Sequence, residues 1–191
     1  MIEGTKNIVI FASGTGSNFV SIYNHIDKGD INARIALLIS NNPNCGAIKF
    51  ANLNNIPTSI INNDLFNDRF KYQDFLLEEI LKVKADLIVL AGYLKIIPEE
   101  VIAKYENKIL NIHPSLLPKL KGLNTHERAI RSRHKFSGCT VHLVNARLDS
   151  GKKLGQAKVK IAKNDNAISL KKKILRQEHI LYPNTLNKFI N

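Results

Sequence analysis

Short apolar runs alternate with amphipathic stretches along most of the chain. Asn7-Ile8-Val9-Ile10-Phe11-Ala12 is apolar on both faces, as in a parallel strand covered by helices on each side. A turn, Ser13-Gly14-Thr15-Gly16-Ser17-Asn18, opens an amphipathic segment over 19–25. Further strands are predicted at 34–40, 57–61 and 86–91, the last stopping at Gly92. Helices are predicted over 46–53, over 68–84 with Phe75, Leu76, Ile80 and Leu81 at helical spacing, and over 98–105. The next strand ends at Asn111. Alternation of this kind argues for an open α/β sheet with right-handed crossovers.

After residue 136 the pattern changes. Residues 140–144 and 158–161 read as strands with no helix between them, so an antiparallel addition to the sheet is expected. Residues 166–190 read as helix, with a break expected near Pro183, which has no N–H to donate. No repeat, low-complexity tract or linker divides the chain. The expectation is one α/β domain over 1–191, a three-layer sandwich whose mostly parallel, Rossmann-like sheet carries an antiparallel C-terminal addition.

Length and composition fit that picture. A chain of 191 residues with 44% hydrophobic and 23% charged residues suits one globular core. No apolar run approaches the roughly 20 residues of a membrane span, and the N-terminus has no signal-peptide pattern. A cytoplasmic address is expected. Cys45 and Cys139 stand alone, so neither a disulfide framework nor a zinc spacing is supported. The net charge of +12 leaves several partners open. Lys171-Lys172-Lys173 reads as a solvated helix face, while a basic surface also suits small polyanions or nucleic acid. Aromatics are only 7% and Trp is absent, which disfavours a stacking nucleic-acid module.

Three places carry candidate chemistry. In Leu110-Asn111-Ile112-His113-Pro114, strand alternation puts Asn111 and His113 on one face at a strand mouth. An amide donor beside an imidazole suits transfer at a carbonyl; a structural histidine is the alternative. The turn after the first strand has glycines and free helix amides that attract anions. It lacks the third glycine of a dinucleotide loop, so a single phosphate fits better, with a ligand-free tight turn as the alternative. Asp149 precedes a turn, and on the residues alone a turn-forming role is the simpler reading; near His113 it would favour a charged ring and hold its orientation.

Taken together, Gly14-Thr15-Gly16-Ser17-Asn18, Ala91-Gly92-Tyr93-Leu94-Lys95-Ile96-Ile97, Asn111 through Pro118 and Gln177-Glu178-His179 resemble, in order and spacing, the folate-dependent phosphoribosylglycinamide formyltransferases. Thr125-His126-Glu127-Arg128 and Gly138-Cys139-Thr140-Val141-His142 are similar to that family as well. The resemblance spans nearly the whole chain. It implies the formyltransferase fold and transfer of a formyl group from 10-formyltetrahydrofolate to the amine of glycinamide ribonucleotide in purine synthesis, with no metal. By that likeness Asn111, His113 and Asp149 are catalytic, while Gly16, Ser17, Asn18, Gly92 and Glu178 bind the ribonucleotide. Folate positions would be Arg69, Leu94, Lys95, Ile96, Ile97, Asn111, Asn145, Ala146, Arg147, Leu148 and Asp149. The partners implied are small molecules, with neither nucleic acid nor membrane, and either a monomer or a homodimer.

Some positions depart from the family pattern. The turn after Asp149 reads Ser150-Gly151-Lys152-Lys153, Leu120 replaces an aromatic, and Leu175 stands where some relatives have a polar contact. Two related activities fit less well. The tRNA formyltransferase resembles a longer protein with a second domain, and the formyltetrahydrofolate hydrolase has an added leading domain and no need of a phosphate loop.

Overall fold

Strand β1 (Lys6–Phe11) is buried by side chains of both parities: Ile8 and Ile10 enter one apolar cluster, Val9 and Phe11 another. Two cores on opposite faces of one sheet follow directly from that period. In the computed structural model, which describes residues 4–62, 66 and 68–191, the elements run α1 (Ser17–Asp27), β2 (Ala33–Ser40), α2 (Gly46–Leu53), β3 (Thr58–Ile60), α3 (Arg69–Lys82) and β4 (Leu87–Leu90). Then come α4 (Glu99–Lys104), β5 (Ile109–His113), α5 (Thr125–Arg131), β6 (Phe136–Leu143), β7 (Lys153–Lys160) and α6 (Ala167–Ile190). Residues 1–3, part of the N-terminal segment read for a signal sequence, lie outside the described residues.

The seven strands are ordered β3-β2-β1-β4-β5-β6-β7. The pairs from β3 through β5 are parallel, while β5–β6 and β6–β7 are antiparallel. One face is covered by α1, α2, α5 and α6, the other by α3 and α4. The three-layer arrangement and the antiparallel addition agree with the expectation. The chain runs outward from β1 to β2 and β3, then returns to pair β4 with the free edge of β1. That reversal makes the C-terminal ends of β1 and β4 a topological switch point, where open α/β sheets hold ligands.

Several expectations differ from the fold. Strands β6 and β7 begin at Phe136 and Lys153, four and five residues before the predicted starts, because they pair along nearly their whole length. Helix α6 is continuous through Pro183. Proline cannot return a hydrogen bond to the His179 carbonyl, and the Ser21 hydroxyl of α1 donates to that carbonyl instead, at 2.8 Å. On α3 the inward stripe is Tyr72, Gln73, Leu76 and Ile80. Phe75 and Leu81 are exposed, and Phe75 packs beside the Phe66 ring at 5.7 Å. Strand β5 does not stop at Asn111: pairing with the antiparallel β6 carries it to His113. Helix α6 is pinned across the sheet by buried Tyr182, whose hydroxyl lies 3.1 and 3.0 Å from the carbonyls of Leu90 and Leu110. Among the described residues no helix is long and apolar enough to cross a membrane.

Candidate active site

Asn111 and His113 do share a face of β5, opposite His142 and Thr140 of β6. His142 sits at 3.2 Å from Asn111 through Nε2, while its Nδ1 lies 2.8 Å from the Leu143 carbonyl. Because a carbonyl only accepts, Nδ1 carries the proton, and Nε2 is left to accept from the Asn111 amide. Burial holds the His142 pKa below its ordinary value, so the ring stays neutral and its 3.7 Å approach to Asp149 Oδ1 is no ion pair. One Asn111 N–H is thereby occupied and the amide plane is fixed. The second N–H remains for a ligand.

His113 is equally constrained. Its Nε2 donates to the Leu120 carbonyl at 2.9 Å, and its Nδ1 faces Asp149 Oδ2 at 3.3 Å. Both nitrogens point at acceptors, an arrangement that the doubly protonated ring satisfies at once. Asp149 is 8% exposed and is reached through a loop that turns at Asp149 itself, with φ 47. Gly151 permits the return: a Cβ there would run into the Leu143 carbonyl. The Gly122 amide donates to Asp149 Oδ2 at 2.8 Å. Asn111, His113 and Asp149 are therefore brought together, with His142 as a member that the apolar pattern of β6 concealed.

The phosphate-type loop lies at the end of β1. Gly16 is the left-handed N-cap of α1 (φ 78), with no side chain capping the first amides. Only glycine fits there, since a Cβ would sit 2.8 Å from the Ala47 Cα of α2. Ser13 ties the loop to its surroundings: its hydroxyl donates to Asn41 Oδ1 at 2.6 Å and accepts from the Leu94 amide at 3.0 Å. The Ser13 amide meets the Gly92 carbonyl at 3.2 Å, so the loops after β1 and β4 form one rim. Asn18 reaches across to α6, where its amide donates to Glu178 Oε2 at 2.7 Å. Burial pushes the Glu178 pKa up, and the Asn18 bond opposes that only in part. Asn18 Oδ1 is buried without a partner. A buried carboxylate beside an orphaned acceptor fits a ligand bearing hydrogen-bond donors.

Residues 6–186 match the model of the Formyl transferase family. The chain belongs to the formyl transferase family. A phosphoribosylglycinamide formyltransferase from Haemophilus influenzae is 38% identical over 96% of this chain and 87% of its own length. A chloroplastic phosphoribosylglycinamide formyltransferase from Arabidopsis thaliana is 36% identical over 93% of this chain, which spans 63% of that relative. The crystal structure of a phosphoribosylglycinamide formyltransferase from Bacillus halodurans superposes with a TM-score of 0.95 at 34% identity, covering 97% of this chain and 96% of that one.

The remaining positions suggested by the formyltransferase resemblance are less uniform. Leu94, Ile96 and Leu148 are 70%, 82% and 63% exposed, an unusual display of large apolar side chains that suits contact with a flat ring. Ile97 differs: its side chain is buried in the core with Val101, which leaves its backbone groups to meet a ligand. Its place at the foot of α4, where the apolar pattern turns inward, accounts for this. Asn145, Ala146 and Arg147 are exposed, and Asn145 Oδ1 accepts from the Arg147 amide at 3.0 Å. Arg69 opens α3 and donates to Gln73 on its own helix, without touching Asn111, His113 or Asp149. Lys95 lies on the same rim as Leu94. Among the described residues no His, Cys, Asp or Glu group is placed to hold a metal ion.

Sequence reasoning missed Ser13 and His142. His142 had a signal, a polar residue at the parity of Thr140 inside an apolar strand. Ser13 had none, since its role depends on two chain segments meeting it.

Proposed function

We propose that this protein transfers the formyl group of 10-formyltetrahydrofolate to the amine of N1-(5-phospho-D-ribosyl)glycinamide, releasing tetrahydrofolate in purine synthesis. The observation that carries the proposal is the Asn111 amide beside the His113 ring, with Asp149 within 3.3 Å of that ring. The relatives' names support the acceptor and the anion-type loop at Gly16 supports its phosphate. One formyltransferase domain over 1–191, acting on small molecules in the cytoplasm, completes the assignment; monomer and homodimer both accommodate it.

The geometry supports the following roles. The acceptor amine attacks the formyl carbon, forming the new C–N bond while the carbonyl oxygen gains negative charge. The free Asn111 N–H would donate to that oxygen, a contribution of roughly 10²–10³ in rate, and the charge of the protonated His113 ring beside it would favour the developing anion. The departing folate nitrogen then takes its proton from His113 as the old C–N bond breaks, the Nε2–H leaving the Leu120 carbonyl to deliver it. Asp149 fixes the ring and supplies the counter-charge, and the surplus amine proton leaves to water. Gly16, Ser17 and Asn18 would hold the phosphate, with Glu178 and Asn18 Oδ1 accepting from the ribonucleotide and Gly92 leaving room where the substrates meet. Leu94, Ile96 and Leu148 would cover the folate ring. Arg69, Lys95 and the 145–147 segment border that surface.

The test is spectroscopic consumption of 10-formyltetrahydrofolate with and without the ribonucleotide acceptor. Acceptor-dependent consumption is expected. Equal consumption without acceptor would instead identify a hydrolase.

A further inference from the structure

We propose that Arg128 is a positioning residue for this reaction, acting through the segment 119–124; the inference rests on the formyl-transfer function above. Two backbone groups of that segment hold the catalytic pair. The Leu120 carbonyl accepts from His113 Nε2 at 2.9 Å, and the Gly122 amide donates to Asp149 Oδ2 at 2.8 Å. The same Asp149 oxygen faces His113 Nδ1 at 3.3 Å. Movement of this one strap therefore changes the imidazole and the carboxylate together.

The strap is not an inherently stable shape. Leu120 and Asn124 take φ 55, and Gly122 takes φ 76. Left-handed non-glycine residues are strained and persist only where surrounding contacts impose them. Arg128, one turn into α5, supplies those contacts: its Nη1 donates to the Lys121 carbonyl at 2.6 Å and to the Leu123 carbonyl at 3.2 Å. The two carbonyls flank Gly122, so one guanidinium nitrogen clamps both sides of the residue that holds Asp149. Lys121 also reaches the Ser150 hydroxyl beside Asp149, closing the ring of contacts. Lysine at 128 would carry the charge on a tetrahedral ammonium and lose the planar guanidinium geometry. His113 is faced by Asp149, and His142 of β6 and His126 of α5 lie within electrostatic range of it, so a displaced strap alters how the centre takes up protons.

Steady-state kinetics of the wild type, Arg128→Ala, Arg128→Lys and Arg131→Ala test this across pH. Wild-type turnover tests the underlying function separately: its absence overturns that reading and leaves the clamp without a reaction. With a turning-over wild type, Arg128→Ala is expected to lower kcat about 10-fold or more. Its KM for the ribonucleotide should stay within about 2-fold, and the pH profile of kcat should shift. Added guanidinium at low millimolar concentration should restore part of the loss. Arg131→Ala, exposed on the same helix, should behave as wild type. Wild-type kcat and an unmoved pH profile in Arg128→Ala, even with lowered thermal stability, would overturn the proposal. If Arg128→Ala fails to fold, Arg128→Lys decides: a reduced kcat with a shifted profile supports the clamp, and wild-type values refute it.

Discussion

The two ends of the candidate site present different kinds of atoms. Around β1 and α1 the working groups are main-chain amides presented by Gly16, and the flanking strands are parallel, apolar and buried on both faces. Around β5 and β6 the working groups are the side chains of Asn111, His113, His142 and Asp149. A backbone cradle depends on chain shape, so only changes that alter φ or close packing disturb it. The side-chain centre depends on four positions drawn from three segments. Substitutions there should remove chemistry while leaving the fold, whereas substitutions at the cradle should disturb both binding and stability.

The largest break in that contrast comes from Asn111→Ala. It should reduce kcat by about 10²–10³-fold, as loss of one oxyanion donor does, with the unfolding midpoint close to wild type. Equal losses in stability and rate would erase the distinction. Gly16→Ala should do the opposite. Its Cβ would meet Ala47 Cα at 2.8 Å with φ at 78, costing about 1–3 kcal/mol in chemical denaturation. It should raise the ribonucleotide KM more than it lowers kcat.

Glu178 sharpens the comparison because it is a buried carboxylate on the binding side. At neutral pH Glu178→Gln should raise stability by about 1 kcal/mol, since it removes the cost of burying a charge, and calorimetry should show weaker ribonucleotide binding. A smaller effect concerns acid. Burial depresses the pKa values of His126, His142 and His179 below the ordinary 6.5. The unfolded chain then binds protons that the native state refuses, so stability present above 6.5 is lost as pH falls below it. Glu178 works the other way: its raised pKa lets the native state take a proton first, so its contribution to stability rises as pH falls through that value. Denaturation between pH 7 and 5 should consequently show a steeper loss for Glu178→Gln than for the wild type.

Much of the parallel half was legible because its strands are continuous apolar runs bounded by Gly and polar turns, as at 7–12 before Ser13-Gly14 and at 86–91 before Gly92. The antiparallel end was legible as strands, but the extent of β5 was not, since His113 pairs only because β6 lies beside it. Pro183 suggested a break by its own chemistry; the Ser21 hydroxyl that relieves it lies far away in sequence. At the site, Asn111 and His113 were legible as a same-face pair because alternation is local. Their meeting with Asp149 requires the turn at Gly151 and the Gly122 amide, which no spacing rule encodes. His142 showed only its polar parity with Thr140; its role comes from Asn111 across the ladder.

The division of labour is tested most directly by His113→Ala, with ribonucleotide binding measured calorimetrically and formyl transfer followed in a single turnover on the same preparation. The account predicts wild-type ribonucleotide affinity with transfer reduced at least about 10²-fold. Transfer near the wild-type rate with normal binding would contradict it.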